Sequence, residues 1–261
     1  MRRVWETLKA LRRAWLAVAT AMPLAPAAAD VVEALTVSLG DRAVRLERTR
    51  LGGGGRRYVN VHENESTSVE AARSVLRERG GELVVLRAGG QRLVAFRQGP
   101  RPCAFDPNRI FTDAGLAATL QRHGCDTPEA RAAAGRLRDA LLQWLDGPPD
   151  EPVIALHNNA GGAYTVRAYL PGGARSSDAA DVALGAAQAQ EDFFVVTRRV
   201  HFERLRAAGF NVVLESEHAA DDGSLSVWFH RQGRAYVNVE ARHGHLDGQR
   251  RMLIAAADLP P

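Results

Sequence analysis

The chain contains 261 residues, enough for one sizeable α/β domain or two small ones, and its 46% hydrophobic content is ordinary for a globular protein. Residues 1–29 hold five basic residues and one acidic residue, which accounts for the whole formal charge of +4. The rest of the chain is formally neutral, which argues against nucleic-acid binding, and beyond the N-terminus no apolar run is long enough to span a membrane.

The first 29 residues have the features of a secretory signal peptide. Basic residues precede a short apolar core, Ala14 to Leu24, and Ala27-Ala28-Ala29 forms a cleavage site before Asp30. We therefore expect a mature domain of residues 30–261 that is periplasmic or secreted, with no stable membrane insertion after the leader is removed. An amphipathic first helix of the fold and an uncleaved membrane anchor are the alternatives.

Cys103 and Cys125 are the two cysteines of the chain. In an exported protein, a pair of cysteines suggests one disulfide. Two free thiols are the alternative, because the sequence does not show whether the two Cα atoms lie close enough to be bridged.

Apolar periodicity and turn residues predict an alternation of strands and helices. Strands are predicted at 31–39, 43–51, 57–61, 82–88, 91–97, 152–156, 165–170, 193–197, 211–216, 225–230 and 235–240. Helices are predicted from Ser66 or Ser68 to 79, and at 113–122, 128–145, 178–190, 202–208 and 246–257. The strands at 82–88 and 91–97 should form a hairpin around Gly89-Gly90, and residues 101–113 should be a loop.

This alternation shows no internal repeat and no linker that would divide the chain. We therefore predict a single α/β domain, with a mixed twisted β-sheet and helices on both of its faces.

Three side chains with metal-binding chemistry follow predicted strands. His62 and Glu65 come after the strand at 57–61, and His157 comes directly after the buried strand PVIAL. Ligands of open α/β sheets bind at the carboxyl ends of strands, so these three groups can converge. Two imidazoles and one carboxylate suit an open catalytic zinc site, whose remaining position is left to water. The alternative for His62 and Glu65 is a surface histidine beside a solvated glutamate.

Arg109, with Asn108 before it, is a candidate for binding a carboxylate. It lies in FDPNRIFT between Phe105 and Phe111, and an arginine held by such neighbours can form two parallel hydrogen bonds with a carboxylate. The alternative is a loop arginine that pairs with a nearby aspartate.

Glu240 is the candidate proton carrier. It ends the predicted strand AYVNVE and precedes the loop ARHGH, where a glutamate could take a proton from water and pass it to a leaving amine. An ordinary strand-end carboxylate paired with Arg242 is the alternative, and Glu215 and Glu217 are rival bases.

Taken together, these segments resemble the zinc carboxypeptidase superfamily, and most closely its aspartoacylase/succinylglutamate desuccinylase branch. The family has H-G-N-E, D-x-N-R-I-F and D-L-H-N segments, followed by a strand with the catalytic glutamate. Here they stand, in the same order, as HENE (62–65), DPNRIF (106–111), ALHN (155–158) and VNVEARHG (237–244). The resemblance extends over about residues 55–245, and N-R-I-F is its most specific part.

The resemblance implies a role for each matching residue. His62, Glu65 and His157 are expected to hold one zinc ion, Glu240 to act as general base and acid, and Asn108 and Arg109 to bind a substrate carboxylate. Arg101 stands where the family has the arginine that stabilises the oxyanion, with Arg92 and Arg97 as alternatives.

Two features depart from the family pattern. Ala155 replaces the aspartate before L-H, a residue that often orients a metal ligand or fixes the local structure. The chain also ends soon after Glu240, so we expect a more open site than in the aspartoacylase-like enzymes.

The sequence thus predicts an exported zinc-dependent hydrolase that cleaves an amide or peptide bond next to a carboxylate-bearing group. The substrate would be a peptide or an acyl-amino acid with a free carboxylate, and peptidoglycan stem peptides are one candidate. The alternatives are a small-molecule N-acyl amino acid amidase and a non-catalytic carboxylate-binding protein with the same fold.

Overall fold

A mixed sheet of nine strands organises the residues that the computed structural model describes, which are 31–52, 54–159, 164–186 and 188–261. The predicted signal peptide, residues 1–29, lies outside the described residues. The strand order is β1-β2-β4-β3-β7-β11-β9-β10-β8. The strands of this sheet are β1 (Val31–Leu39), β2 (Arg42–Leu51), β3 (Arg57–Asn60), β4 (Gly81–Arg87), β7 (Val153–Asn159), β8 (Ala179–Ala183), β9 (Phe193–Val196), β10 (Val212–Glu215) and β11 (Tyr236–Arg242).

The centre of the sheet is parallel, and its edges are mainly antiparallel. Strands β4, β3, β7 and β11 are neighbours that run in the same direction, whereas β2 and β9 run antiparallel to their neighbours in this group. A separate antiparallel hairpin consists of β5 (Val94–Gln98) and β6 (Arg101–Phe105). The carboxyl ends of β3, β7 and β11 therefore meet at one edge of the sheet.

Helices cover both faces of the sheet, as the sequence predicts. Residues of α2 (Asp113–Arg122), α3 (Pro128–Trp144) and α5 (Leu225–Arg231) contribute to the apolar core on one face. Residues of α1 (Ser66–Arg79), α4 (Arg199–Ala207) and α6 (Leu246–Ala257) contribute to the core on the other face. The predicted α/β class with a mixed sheet is confirmed.

The predicted hairpin of 82–88 with 91–97 is wrong, and so is the predicted loop at 101–113. Strand β4 is hydrogen-bonded to β2 on one side and to β3 on the other, so neither of its edges is free for β5. Instead β5 pairs with β6, in a register that sets Gln98 opposite Arg101 and Val94 opposite Phe105. Segment 101–105 is extended because its backbone hydrogen bonds are made within this hairpin.

Three other elements differ from prediction where tertiary contacts override local preference. The predicted strand at 225–230 lies instead in the helix α5. There the Ser224 hydroxyl caps the helix by accepting a hydrogen bond from the Val227 N–H. The predicted strand at 165–170 contains a 3₁₀ turn, Val166–Tyr169, and the alanine-rich helix predicted at 178–190 is replaced by β8, which pairs with β10. Alanine favours helices, but the free edge of β10 supplies backbone partners.

Cys103 on β6 and Cys125 after α2 form a disulfide, with their Cα atoms 5.1 Å apart. This is the pairing that an exported protein with two cysteines predicts. Among the described residues, no helix combines the length and the apolar character needed to cross a bilayer.

Candidate metal centre and substrate cleft

The three predicted metal ligands meet at the carboxyl ends of adjacent parallel strands. His62 and Glu65 follow β3, and His157 lies near the end of β7, which pairs with β3. The third strand is β11, whose register sets Glu240 directly opposite His157. These residues are far apart in the sequence but close in space, because parallel pairing aligns the ends of the strands that carry them.

The donor atoms of these ligands face one another. His62 Nδ1 lies 3.3 Å from His157 Nδ1 and 3.0 Å from Glu65 Oε1, and His157 Nδ1 lies 3.0 Å from Glu65 Oε2. All three side chains are buried. A tetrahedral zinc ion with bonds of about 2.0–2.2 Å separates its ligand atoms by about 3.3 Å. The donor set and its spacing therefore fit a zinc ion.

The charges of the cluster are strongly coupled. Burial opposes ionisation of Glu65, but the charge and the hydrogen bond of His157, together with His62, hold the pKa of Glu65 well below its usual range. Burial likewise disfavours a charged His62, yet the hydrogen bonds to Asp106 and Glu65 raise the pKa of His62. Two imidazoles packed against a buried carboxylate are thus an arrangement in which a cation is favoured.

Asp106 orients one of the ligands. Its Oδ1 lies 2.8 Å from His62 Nε2, so the carboxylate fixes the ring with Nδ1 directed at the cluster. Asp106 also accepts a hydrogen bond from the Asn108 N–H at 2.9 Å. Ala155, where the resembling family has aspartate, is buried in the apolar core beneath α2 and α3. An apolar residue suits that position.

Glu240, the predicted proton carrier, lies on β11 beside His157. It is buried, lines the same cleft as His157, and accepts a hydrogen bond from Asn238 Nδ2 at 3.1 Å. Burial raises the pKa of Glu240 above its ordinary value, the charge of His157 opposes this, and the charge of Glu65 adds to it. A carboxylate with a raised pKa exchanges protons more readily near neutral pH.

Asn108 and Arg109 form another wall of this cleft, which has a volume of about 460 Å³. They belong to a 3₁₀ turn, Pro107–Arg109, that Asp106 caps. Asn108 Oδ1 accepts a hydrogen bond from the Leu225 N–H at 3.1 Å, which ties the turn to α5. Arg109 Nη2 lies 3.6 Å from Asp222 Oδ2, so the guanidinium is held in the cleft with hydrogen-bonding capacity to spare.

The structure does not bring Arg101 to this site. Arg101 is exposed at the start of β6, and the extended strand carries it about 17 Å along the chain direction from Asp106. Arg97, the second alternative, is also exposed and donates a hydrogen bond to the Pro100 carbonyl. Arg92 reaches the cluster instead, with Nη1 2.8 Å from Glu65 Oε1 and Nη2 3.4 Å from Asp106 Oδ2.

Arg175 and two tyrosines are cleft residues that the sequence did not single out. Arg175 lies over the rings of Tyr164 and Tyr169, at 5.9 and 5.7 Å from their centroids, and its Nη2 lies 2.8 Å from Asp222 Oδ2. The two tyrosine hydroxyls are hydrogen-bonded to each other, and burial raises the pKa of Tyr169 to about 12. Tyr169 lies in the segment 165–170, which the sequence predicts as a strand, and no sequence motif marks Tyr164 or Arg175 as cleft residues.

Glu63 holds the loop that carries Arg92. Its Oε2 accepts hydrogen bonds from the N–H groups of Ala88, Gly89 and Gly90, each at 2.7 Å. Gly89 and Gly90 have φ angles of 100° and 73°, which favour glycine, so the turn depends on these residue types.

Replacing Glu63 should therefore act through Arg92. We expect Glu63→Ala to lower kcat/KM by about tenfold or more and to leave zinc content unchanged. In the double variant it should add little to the effect of Arg92→Ala, because both changes remove the same placement of the Arg92 guanidinium. Steady-state kinetics and metal analysis measure this. Glu70→Ala, an exposed glutamate on α1, is the matched control. Full additivity of the two changes would contradict the coupling.

Comparison with known proteins supports the fold. No family profile matches the chain, and no curated protein matches it in sequence. A search of solved structures finds thrombin activatable fibrinolysis inhibitor, at a TM-score of 0.50 and 10% identity, over 87% of this chain and 70% of that one. An aspartoacylase family protein from Mesorhizobium loti matches at a TM-score of 0.44 and 16% identity, over 89% of this chain and 68% of that one.

The chain therefore has a zinc carboxypeptidase-like fold. The resemblance predicted from the sequence is confirmed at the level of the fold.

Proposed function

We propose that this protein is a zinc-dependent hydrolase that cleaves an amide or peptide bond next to a carboxylate-bearing group. The observation that carries the proposal is the convergence of His62, Glu65 and His157 within 3.0–3.3 Å of one another, in a cleft that also holds Glu240 and Arg109. Zinc bound by these three ligands would activate water and polarise the scissile carbonyl.

The other residues of the cleft would each have one role in the reaction. Glu240 would accept a proton from the attacking water and deliver it to the leaving amine. Arg92, beside Glu65, would donate hydrogen bonds to the oxyanion that develops on the carbonyl. Asn108 and Arg109 would bind the free carboxylate of the substrate and so hold the bond in register.

Export is part of the proposal. The disulfide between Cys103 and Cys125 supports it, since disulfides persist outside the reducing cytoplasm, and residues 1–29 have the order of a signal peptide. Peptidoglycan stem peptides are then an accessible substrate with free carboxylates. An N-acyl amino acid would satisfy the same cleft and is the second candidate.

The test begins with the full chain expressed in a bacterial host. We expect recovery from the periplasm with a mass that starts at Asp30, about one zinc ion per chain, and hydrolysis that stops with a chelator and returns with zinc. Stem peptides, N-acyl dipeptides and N-acyl amino acids form the substrate panel. A protein that binds no zinc, or that holds zinc and cleaves no member of the panel, would refute the proposed hydrolase.

A further inference from the structure

A network of buried amide side chains lies next to the metal ligands, on the face of the sheet that α1 and α6 cover. Gln249 on α6 is fully buried, and Asn158 on β7 is the residue after the ligand His157. Gln249 Nε2 donates a hydrogen bond to the His157 carbonyl at 3.0 Å, and Asn158 Nδ2 donates to Gln249 Oε1 at 2.7 Å. The network therefore begins at the backbone of one metal ligand.

The other end of the network is the start of α1, which follows the ligand Glu65. Glu65 is the N-cap residue of this helix, but its carboxylate faces the two histidines and makes no capping hydrogen bond. Asn158 Oδ1 instead accepts a hydrogen bond from the Ser68 N–H at 3.0 Å, and the Ser68 hydroxyl donates to the Glu65 carbonyl at 2.7 Å. Asn158 thus supplies the cap that Glu65 does not, and it connects the two ligands through side chains.

The direction of each hydrogen bond in this network is fixed. The Ser68 N–H can only donate and the His157 carbonyl can only accept, so these two backbone groups set the orientation of both amides between them. Asn158 must direct its oxygen to Ser68 and its nitrogen to Gln249. Gln249 must then direct its nitrogen to His157. A carboxylate or an apolar side chain at either position would leave a buried partner without its hydrogen bond.

The two histidine ligands are held in different ways. The ring of His62 is oriented by Asp106, whose Oδ1 lies 2.8 Å from His62 Nε2. In the part of the chain that the structure describes, the hydrogen bonds of the His157 ring involve Nδ1, the atom that faces the cluster. Nδ1 is the ring nitrogen nearer to the backbone, so the position of the His157 main chain bears directly on where this donor atom lies. Gln249 holds that main chain.

We propose that Gln249 and Asn158 are positioning residues for the metal centre. They hold the end of β7 against the start of α1, so that His157 and Glu65 converge before a metal binds. The proposal rests on the zinc-binding function given above and adds to it two residues that supply no ligand atom. Ligands that are already in place bind a metal more tightly, because less order has to be created on binding.

The competing explanation is that the network only stabilises the fold. Buried polar groups that lose a partner cost stability wherever they lie, so a lower melting temperature does not distinguish the two explanations. Affinity for zinc does distinguish them. A change that destabilises the metal-free and zinc-bound forms equally leaves the zinc affinity unchanged, and with it the stabilisation that zinc provides.

The experiment replaces Gln249 with methionine, which keeps the length of the side chain and removes both hydrogen bonds. We expect Gln249→Met to weaken zinc binding by about 10- to 100-fold, the usual effect of losing a group that orients a metal ligand. Competition with a coloured chelator measures this affinity. The visible spectrum of the Co²⁺-substituted variant should also differ from that of the wild type, because the Co²⁺ bands depend on the geometry of the ligands.

His201→Leu is the matched control. His201, on α4 and outside the cleft, is fully buried, and its Nε2 also donates a hydrogen bond to a backbone carbonyl, that of Pro260, at 2.9 Å. This variant should have a lower melting temperature than the wild type, with the same zinc affinity and the same Co²⁺ spectrum.

Gln249→Asn provides a second variant in case the first does not fold. It keeps an amide but is one methylene shorter, so it cannot reach both partners, and it should also weaken zinc binding. A folded Gln249 variant with the zinc affinity and Co²⁺ spectrum of the wild type would overturn the positioning role. Failure of both variants to fold would assign the network to the stability of the domain and would overturn it as well. A wild type that binds no zinc would refute the proposed function itself.

Discussion

Glu240→Gln should reduce kcat by about 10²- to 10⁴-fold, the usual contribution of a positioned general base and acid. The substitution keeps the size of the side chain and leaves an oxygen that can accept the hydrogen bond from Asn238 Nδ2. It removes the negative charge and, with it, the ability to take up and release a proton. Because Glu240 is not one of the three converging donors, zinc content should stay at the wild-type level and KM should change little.

Steady-state kinetics and metal analysis on the same preparation test this expectation. Glu203→Gln on α4, a partly exposed glutamate that does not line the cleft, removes an equal charge and should have wild-type kinetics. A Glu240→Gln protein with zinc bound and kcat close to wild type would refute Glu240 as the proton carrier.

His157→Ala should have the second large effect, which is loss of the metal and of all activity that depends on it. Zinc sites bind with about 10–16 kcal/mol, so removing one of three protein ligands costs about 3–5 kcal/mol, or about 10²- to 10⁴-fold in affinity. The change also leaves the buried Glu65 without the histidine that lies 3.0 Å away, so the variant should be less stable than the wild type.

Mass spectrometry for metal and a competition titration with a coloured chelator measure the loss. His218→Ala removes an exposed histidine far from the cluster in the chain and should bind zinc as the wild type does. Undiminished zinc affinity in His157→Ala would refute the proposed ligand set. Circular dichroism distinguishes a folded, metal-free variant from one that fails to fold.

The metal ligands could be predicted from a local pattern, a donor residue directly after an apolar strand, and the sheet topology brings them together. His62, Glu65 and His157 each follow an apolar run that reads as a strand, and donors at the carboxyl ends of parallel strands converge whatever their separation along the chain. The rule does not depend on loop length. For that reason the cluster could be predicted although β3 and β7 are separated by α1, α2, α3 and three strands.

Arg101 shows where spacing by sequence fails. An arginine a fixed number of residues before Asn108 reaches the cluster only if the intervening chain folds back. Here segment 101–105 is an extended strand of the β5–β6 hairpin, so Arg101 lies far from the cluster. The loop before this hairpin, which Glu63 holds by hydrogen bonds, instead places Arg92 next to Glu65. Strand pairing decides which arginine lies next to the metal ligands, and the sequence of one segment does not reveal that pairing.

What the sequence determined by itself was the class of fold and the metal-binding donor set, because apolar period, helix caps and strand-end residues act over short distances. The tertiary structure decided three elements that local patterns did not predict. These are the pairing of β5 with β6, the strand β8 in an alanine-rich segment, and the helix α5 in a segment predicted as a strand. Backbone partners and burial are properties of the packed sheet, and at these positions they outweigh local propensities of a few tenths of a kcal/mol per residue.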